Sequence, residues 1–372
     1  MHITKIQLNN FRNYETAEIS PCPGVTVLYG NNAQGKTALV ESIILCCTGR
    51  SHRTPRDREL VRWEQPGGHV RVEVERNDGP HEIDLTLNPT ARKTVRIGGR
   101  TLQKTGELMG HLNGVLFAPE DLRIVKDGPA ERRRFIDMEL SQIRPSYYYA
   151  LQLYARALNQ RNCLLREAAV KPAMRDMLDE WDMQLARYGA DIMERRRNFI
   201  SMISKSAEES HYEISGGAER LTVVYQPAIS TEETGEALQR TMLQALRMSR
   251  ENDIRRGTST VGPHRDDLAL MLSGMDVRVY GSQGQQRTAA LSLKLAELDI
   301  MHRESGEWPV LLLDDVMSEL DPRRRRHLLK RFEGVQTIVT CTDMSDLAEA
   351  EIGAAYRIDH GTIHTQNGEG NT

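Results

Sequence analysis

Eight consecutive residues, Gly30, Asn31, Asn32, Ala33, Gln34, Gly35, Lys36 and Thr37, fit the spacing GxxxxGK[ST]. Two glycines let a backbone curl until successive N–H groups face an anion. Lys36 is then placed to reach β and γ phosphate oxygens, and the Thr37 hydroxyl is placed for Mg²⁺. The alternative is a chance glycine turn. It is disfavoured by the flanks, an apolar "GVTVLY" before the loop and an apolar "ALVESIILCC" after it, which read as strand and helix. A second candidate is "VLLLDD", Val310 to Asp315. Four apolar residues suit a strand covered on both faces, and the acids stand at its C-terminal end, where open parallel sheets bind ligands. Alone, an Asp-Asp pair is as readily a helix cap. Beside a P-loop, Asp314 suits Mg²⁺ and Asp315 suits a base that orients or deprotonates an attacking water.

A third segment, Ser282, Gln283, Gly284, Gln285, Gln286 and Arg287, is a small polar knot that opens an apolar helix. Its isolated reading is a serine N-cap with a glycine turn. The order of P-loop, knot, then apolar strand ending in acids is similar to that of ABC-type ATPases. In that architecture the knot meets the γ-phosphate held by a second copy of the domain.

These residues must be positioned by an α/β scaffold. The first 45 residues read as strand, strand, strand, helix. The alternating runs "HVRVEVE", "HEIDLTL" and "KTVRI" predict an antiparallel β subdomain. From Glu131 to about Arg256 the pattern is helical and rich in charge, which predicts an inserted αα arm. The α/β pattern returns after "VGPHRDDLALML". The expected domains are therefore 1–130 (P-loop and β subdomain), 131–256 (helical arm) and 257–364 (signature and acidic strand), with 365–372 a disordered tail.

Composition sets outer bounds. The 372 residues, 39% of them hydrophobic, suffice for sizeable cores. Lys and Arg total 49 against 52 Asp and Glu, so a nucleic-acid surface must come from local clustering. Five cysteines show no metal-ligand spacing, which favours a reducing, cytoplasmic setting. The opening "MHITKIQLNN" alternates like a strand, and no apolar run reaches membrane-spanning length.

Eight segments together, "LNNFRNY", "GNNAQGKT", "SHRT", "LFAPEDL", "KDGPAERRRFID", "GPHRDDL", "GSQGQQR" and "LLLDDVMSELD", resemble the RecF family of the SMC/ABC-type ATPase group. The resemblance spans Leu8 to Asp321. It implies an ABC-type head with a short helical lobe, ATP and Mg²⁺ as cofactors, and slow, DNA-stimulated ATP hydrolysis as a switch. It further implies an ATP-dependent homodimer on double-stranded DNA at gap junctions, with single-strand contact there, acting with RecO and RecR to load RecA in gap repair, replication and the SOS response. The site residues it implies are Gly30 to Thr37 with Arg12 and Asn13 around ATP, Thr37 and Asp314 on the metal, and Lys36, Asp315, Ser282 and Gly284 in catalysis. Ser282 to Arg287 would act in trans, and Ser318, Glu319, Leu320 and Asp321 would form the D-loop. Two features depart from the wider ABC pattern. The second acid is Asp315 rather than glutamate, whose longer reach suits faster turnover. Thr340, Cys341 and Thr342 stand where many such enzymes carry a switch histidine, which leaves the γ-phosphate sensor open. The arm is far shorter than an SMC coiled coil.

Basic runs have two readings each. Arg132 to Arg134, Arg195 to Arg197 and Arg323 to Arg326 fall on predicted helices, where consecutive charges cannot share a face, so the plain expectation is solvated surface. "GRSHRTPRDREL" differs because Arg50, His52, Arg53, Arg56 and Arg58 lie in a loop after the P-loop helix. That loop is a candidate for phosphate, whether of nucleotide or of DNA. Tyr147 to Tyr149 suit core packing better than base stacking. Two other functions compete with the DNA clamp: a nucleotide-switched protein scaffold, and a small-molecule P-loop kinase that leaves the knot and the arm without a role.

Overall fold

The computed structural model describes residues 1–229, 232–330, 333–348 and 350–365. Of the expected disordered tail, 365–372, Thr365 belongs to a strand, Thr362–Thr365, and the rest lies outside the described residues. Contacts divide the chain into two units, Met1–Asp121 with Leu291–Thr372, and Leu122–Ala290.

Within the first unit, β1 (His2–Phe11), β2 (Tyr14–Ile19) and β3 (Val25–Tyr29) lead into helix α1 (Lys36–Thr48). There follow β4 (Gly68–Arg76), β5 (Gly79–Leu87), β6 (Thr94–Ile97), β7 (Arg100–Thr101) and β8 (Gly114–Phe117). The second unit holds α2 (Leu122–Lys126), α3 (Pro129–Ile143), α4 (Pro145–Ala168), α5 (Leu178–Ser215), β9 (Leu221–Gln226) and α6 (Gly235–Arg256). It continues with β10 (Asp267–Leu272), β11 (Met275–Asp276), the single turn α7 (Val277–Tyr280) and the start of α8 (Gln283–Ser305), inside which the division falls. The first unit is completed by β12 (Val310–Asp314), α9 (Pro322–Leu329), β13 (Thr337–Cys341), β14 (Ile352–Asp359) and β15 (Thr362–Thr365).

Two sheets build the first unit. The order β2-β1-β4-β5-β6-β7 is antiparallel throughout. Its alternation is visible in β4, where Val70, Val72 and Val74 are buried and the charged residues between them are not. The other sheet, β15-β14-β3-β13-β12-β8, is parallel except for the edge strand β15. Helix α1 touches strands of both sheets, among them β4, β5, β12 and β13. That position explains why α1 is buried on every side from Ala38 to Thr48 rather than along one stripe.

The second unit runs from Leu122 to Ala290, against expected boundaries at 130/131 and 256/257, and it is not all helix. Strand β9 pairs residue by residue with β10, from Leu221 opposite Leu272 to Gln226 opposite Asp267. This ladder ties 221–226 to 267–272 within the second unit.

Two of the arginine runs, Arg132 to Arg134 and Arg195 to Arg197, also differ from a solvated surface. Arg132 and Arg196 are buried. Arg132 donates from Nε and Nη2 to Asp267 at 2.7 and 2.9 Å, and Arg196 pairs with Asp137 at 2.8 Å and Asp266 at 2.9 Å. Arg134 is exposed, as helical geometry requires of a neighbour two residues on. The segments "KDGPAERRRFID" and "GPHRDDL" are thus partners, since Asp267 of the second supplies the carboxylate for Arg132 of the first and the Asp266 carbonyl accepts from Arg133 at 2.7 Å. Tyr147 is fully buried, with its hydroxyl on Asp137 at 2.5 Å.

Candidate nucleotide-binding site

The P-loop takes its shape from close approaches. Gly30, at φ 143°, follows β3, and a Cβ there would lie 2.4 Å from the Ile358 carbonyl oxygen. Gly35, at φ 121°, would place a Cβ 2.7 Å from the Asn13 amide and 2.8 Å from the Tyr14 hydroxyl. Only glycine fits both places. Ala33 adopts the left-handed region at φ 64°. Gln34 is fastened from two sides: its carbonyl accepts from the Asn13 amide at 2.7 Å and the Gly361 N–H at 3.0 Å, and its side-chain oxygen accepts from the His360 N–H at 2.6 Å. Tyr14 donates to the Gly35 carbonyl at 3.0 Å. Helix α1 then begins with no side-chain cap on its first turn, which directs backbone N–H groups and the positive dipole end at the loop's concavity.

The Lys36 ammonium donates to the carbonyls of Gly30 at 2.5 Å and Asn31 at 2.8 Å. Burial lowers its pKa, and the nearby charges of Asp315 and Asp314 oppose that shift. The Thr37 hydroxyl donates to Asp314 Oδ1 at 3.0 Å, joining residues 277 apart in sequence. Burial raises the Asp314 pKa, against hydrogen bonds from Thr340 and Thr37 that lower it. Thr340, on the neighbouring strand β13, donates to the same Oδ1 at 2.8 Å and accepts from the Asp315 N–H at 2.9 Å. Asp315 itself sits at φ 55°, a strained conformation for a residue with a side chain. The parallel register opposes Asp314 to Thr340, so this bridge is a product of strand pairing. Ser318 folds back to donate to the Asp315 carbonyl at 3.3 Å, Leu320 is buried, and Asp321 pairs with Arg324.

A hydroxyl and a buried carboxylate converging at the sheet's C-terminal edge are oxygen donors of the kind Mg²⁺ takes, one or two from protein with phosphate completing the set. Thr37 and Asp314 would hold such an ion, and when bound it would neutralise charge on the phosphate oxygens.

Arg12 is committed differently from a direct phosphate ligand. It donates from Nε and Nη2 to the fully buried Glu41 of α1, at 2.8 and 2.6 Å, and from Nη1 to the Glu59 carbonyl at 2.8 Å. Asn13 is turned to Gln34. In the basic loop, Ser51 donates to Glu41, Arg53 lies 4.0 Å from the same carboxylate, Arg56 faces Glu59 at 3.5 Å, and Arg50 and Arg58 are exposed. Arg53, Arg12, Gly35 and Thr37 line one open cavity of about 810 Å³ with Trp63.

The knot lies in the second unit. Ser282 and Gln285 cap each other, the Ser282 N–H donating to Gln285 Oε1 at 2.8 Å and the Gln285 N–H to Ser282 Oγ at 3.2 Å. Gln285 also donates to Glu219 at 2.7 Å, and Glu219 meets the buried His211 of α5 at 3.2 Å. Gln286 is buried and donates to the Val277 carbonyl at 3.2 Å, while Ser282, Gln283 and Arg287 are exposed. Gly284 occupies the first turn of α8.

Sequence reasoning missed Glu41, Thr340 as a buttress, Glu219 and Trp63. A carboxylate in an otherwise apolar helix, and a lone tryptophan between "LVR" and "EQPGG", were the available signals.

The RecF/RecN/SMC N-terminal domain model matches residues 2–364. The chain belongs to the RecF family. It is 41% identical over 365 residues to the DNA replication and repair protein RecF of Lachnoclostridium phytofermentans, covering 98% of this chain and 99% of that one. It superposes at TM-score 0.92 and 37% identity, with 98% of both chains covered, on a structure described as the recombination mediator protein RecF-ATP in the RecFOR pathway. An Smc head domain from Pyrococcus furiosus, at 17% identity and TM-score 0.56, shares the fold. The RecF family is thus the setting of this site, and the fold is that of an ABC-type ATPase head. No helix among the described residues is long and apolar enough to cross a membrane.

Proposed function

We propose that this protein is an ATP-switched DNA clamp for replication and repair. The carrying observation is the 3.0 Å bond from Thr37 to Asp314, which joins the P-loop to the acidic strand at one sheet end. In this reading Gly30 to Thr37 cradle the phosphates of ATP, Lys36 neutralises the β and γ oxygens, and Asp315 accepts the proton of the attacking water. Ser282 to Arg287 complete the site of a second copy, so that ATP closes a homodimer on duplex DNA. Ser318 to Asp321 form the adjoining D-loop. Turnover is slow because the aspartate base at 315 has a short reach, and hydrolysis releases the clamp. The association of a similar protein with the RecFOR pathway supports RecO and RecR as partners, with gap junctions as the DNA target and RecA loading as the outcome. Arg50, Arg53, Arg56 and Arg58 supply candidate phosphate contacts to DNA.

The test is sedimentation and duplex-DNA binding with ATP, with ADP and with neither. ATP alone should produce dimers that hold DNA, and DNA should raise the hydrolysis rate. Equal DNA binding in all three conditions would leave the scaffold reading, with nucleotide setting only the dimer state, as the better account.

A further inference from the structure

We propose that Trp63 is the platform on which the base of the bound nucleotide stacks, so that the cavity takes a nucleoside triphosphate in preference to a bare polyphosphate. This rests on the nucleotide reading of the P-loop and adds the part of the site that holds the base.

The chain has three tryptophans. Trp308 is stacked on His302 with ring centroids 3.9 Å apart, and Trp181 packs against a buried apolar cluster. Trp63 is 85% exposed. A single exposed apolar side chain is ordinary, so exposure alone carries nothing. Its place does. Trp63 lines the same cavity as Gly35 and Thr37, and a volume of about 810 Å³ is that of a small-molecule site. Phosphates held at the P-loop leave the nucleoside to extend along this cavity, and a base presents an aromatic face that needs a partner. Indole offers the largest such face among side chains.

The backbone under Trp63 is fixed on both sides. Phe11 and Val61 form a bridge, the Arg12 N–H donates to the Leu60 carbonyl at 2.8 Å, and the Arg62 N–H donates to the Asn10 carbonyl at 2.9 Å. The turn closes with the Gln65 N–H on the Arg62 carbonyl at 3.1 Å, and it forces Glu64 to φ 61°. A strained glutamate beside a displayed tryptophan is a conformation the strand bridge holds against its local preference. Arg12 lies in the same cavity with its guanidinium immobilised by Glu41 and Glu59, a flat cationic surface also suited to aromatic stacking.

The experiment titrates the full chain and its Trp63→Ala, Trp63→Phe and Lys36→Ala variants with Mg·ATP and with Mg·tripolyphosphate by calorimetry. Trp63→Ala should weaken ATP roughly tenfold or more, from the usual size of base–aromatic stacking, and leave tripolyphosphate unchanged. Trp63→Phe should retain most of the ATP affinity, and Lys36→Ala should lose both ligands. If Trp63→Ala binds ATP as the unaltered protein does while Lys36→Ala loses it, the platform is wrong. Equal weakening of both ligands, with a lowered unfolding temperature, would make Trp63 a structural residue and also overturn the proposal. Undiminished ATP binding by Lys36→Ala would remove the nucleotide reading, and the platform with it.

Discussion

The P-loop edge of the parallel sheet and the interior of the inserted unit use charge in opposite ways. At the sheet edge, Lys36, Asp314 and Asp315 stand together at strand and helix ends, held by backbone carbonyls and threonine hydroxyls. Their charges stay poised for a ligand. In the insert, Arg161 has no exposed side-chain surface, and it is satisfied internally by Asp182 at 2.6 Å, Asp253 at 2.7 Å and Ser259 at 2.8 Å. Those partners come from α5, α6 and the segment after α6, so one guanidinium ties α4 to three places. Paired charge inside the insert fixes which helices meet, whereas strained, incompletely capped charge at the sheet edge is suited to binding. Stability and chemistry are thereby separated within one chain.

The largest effect expected from this contrast is in the insert. Arg161→Ala removes the buried guanidinium shared by Asp182 and Asp253, leaving Asp182 to Arg250 and Asp253 to the hydroxyls of Ser249 and Thr260, and should cost about 3–5 kcal/mol in denaturant unfolding. Hydrogen exchange should rise in α4 to α6 while α1 keeps its protection. Arg134→Ala, on the exposed side of its run, should change stability by less than about 0.5 kcal/mol. Similar losses for the two would erase the distinction between buried and surface arginines.

A smaller effect sharpens the other side. Thr340→Val keeps the shape of the side chain but removes the donor to Asp314 and the acceptor for the Asp315 N–H. Leaving a part-buried amide without its acceptor costs up to about 1–3 kcal/mol, here directed at Asp315, the base of the proposed mechanism. ATP turnover should fall about tenfold with nucleotide affinity retained. Unchanged turnover would show that the bridge is dispensable to Asp315.

The smallest effect is a pH dependence. Asp121 accepts from the Ala118 N–H at 2.8 Å, and burial pushes its pKa up to about 6 from 3.8. Between those values the folded chain holds a proton that the unfolded chain has released. This group's contribution is therefore fully present below about pH 4 and lost as pH rises through 6. Asp121→Asn should flatten that part of the stability profile, measured by unfolding at pH 4, 5, 6 and 7. A profile unaffected by the substitution would mean the carboxyl is solvated.

The sequence determined the local chemistry of this protein. Gly30, Gly35, Lys36 and Thr37 are legible because a phosphate loop is made by neighbours in the chain, at a spacing that backbone geometry fixes. "HVRVEVE" and "VLLLDD" are legible because strand burial repeats every two residues or not at all. Tertiary structure alone decided what depends on residues brought from afar. It paired "LTVVYQ" with "DLALML", a ladder hidden inside a charge-rich stretch that composition marked as helix. It turned Arg132 and Arg196 inward, because their counter-charges at Asp137, Asp266 and Asp267 become neighbours only after folding. It set Thr340 between Asp314 and Asp315 through the register of β12 on β13, and it raised Trp63 beside the P-loop through the bridge from Phe11 to Val61. Periodicity and motif spacing record short-range geometry. The pairing of a charge, or the display of an aromatic ring beside a loop formed elsewhere in the chain, is a long-range fact that no single stretch carries.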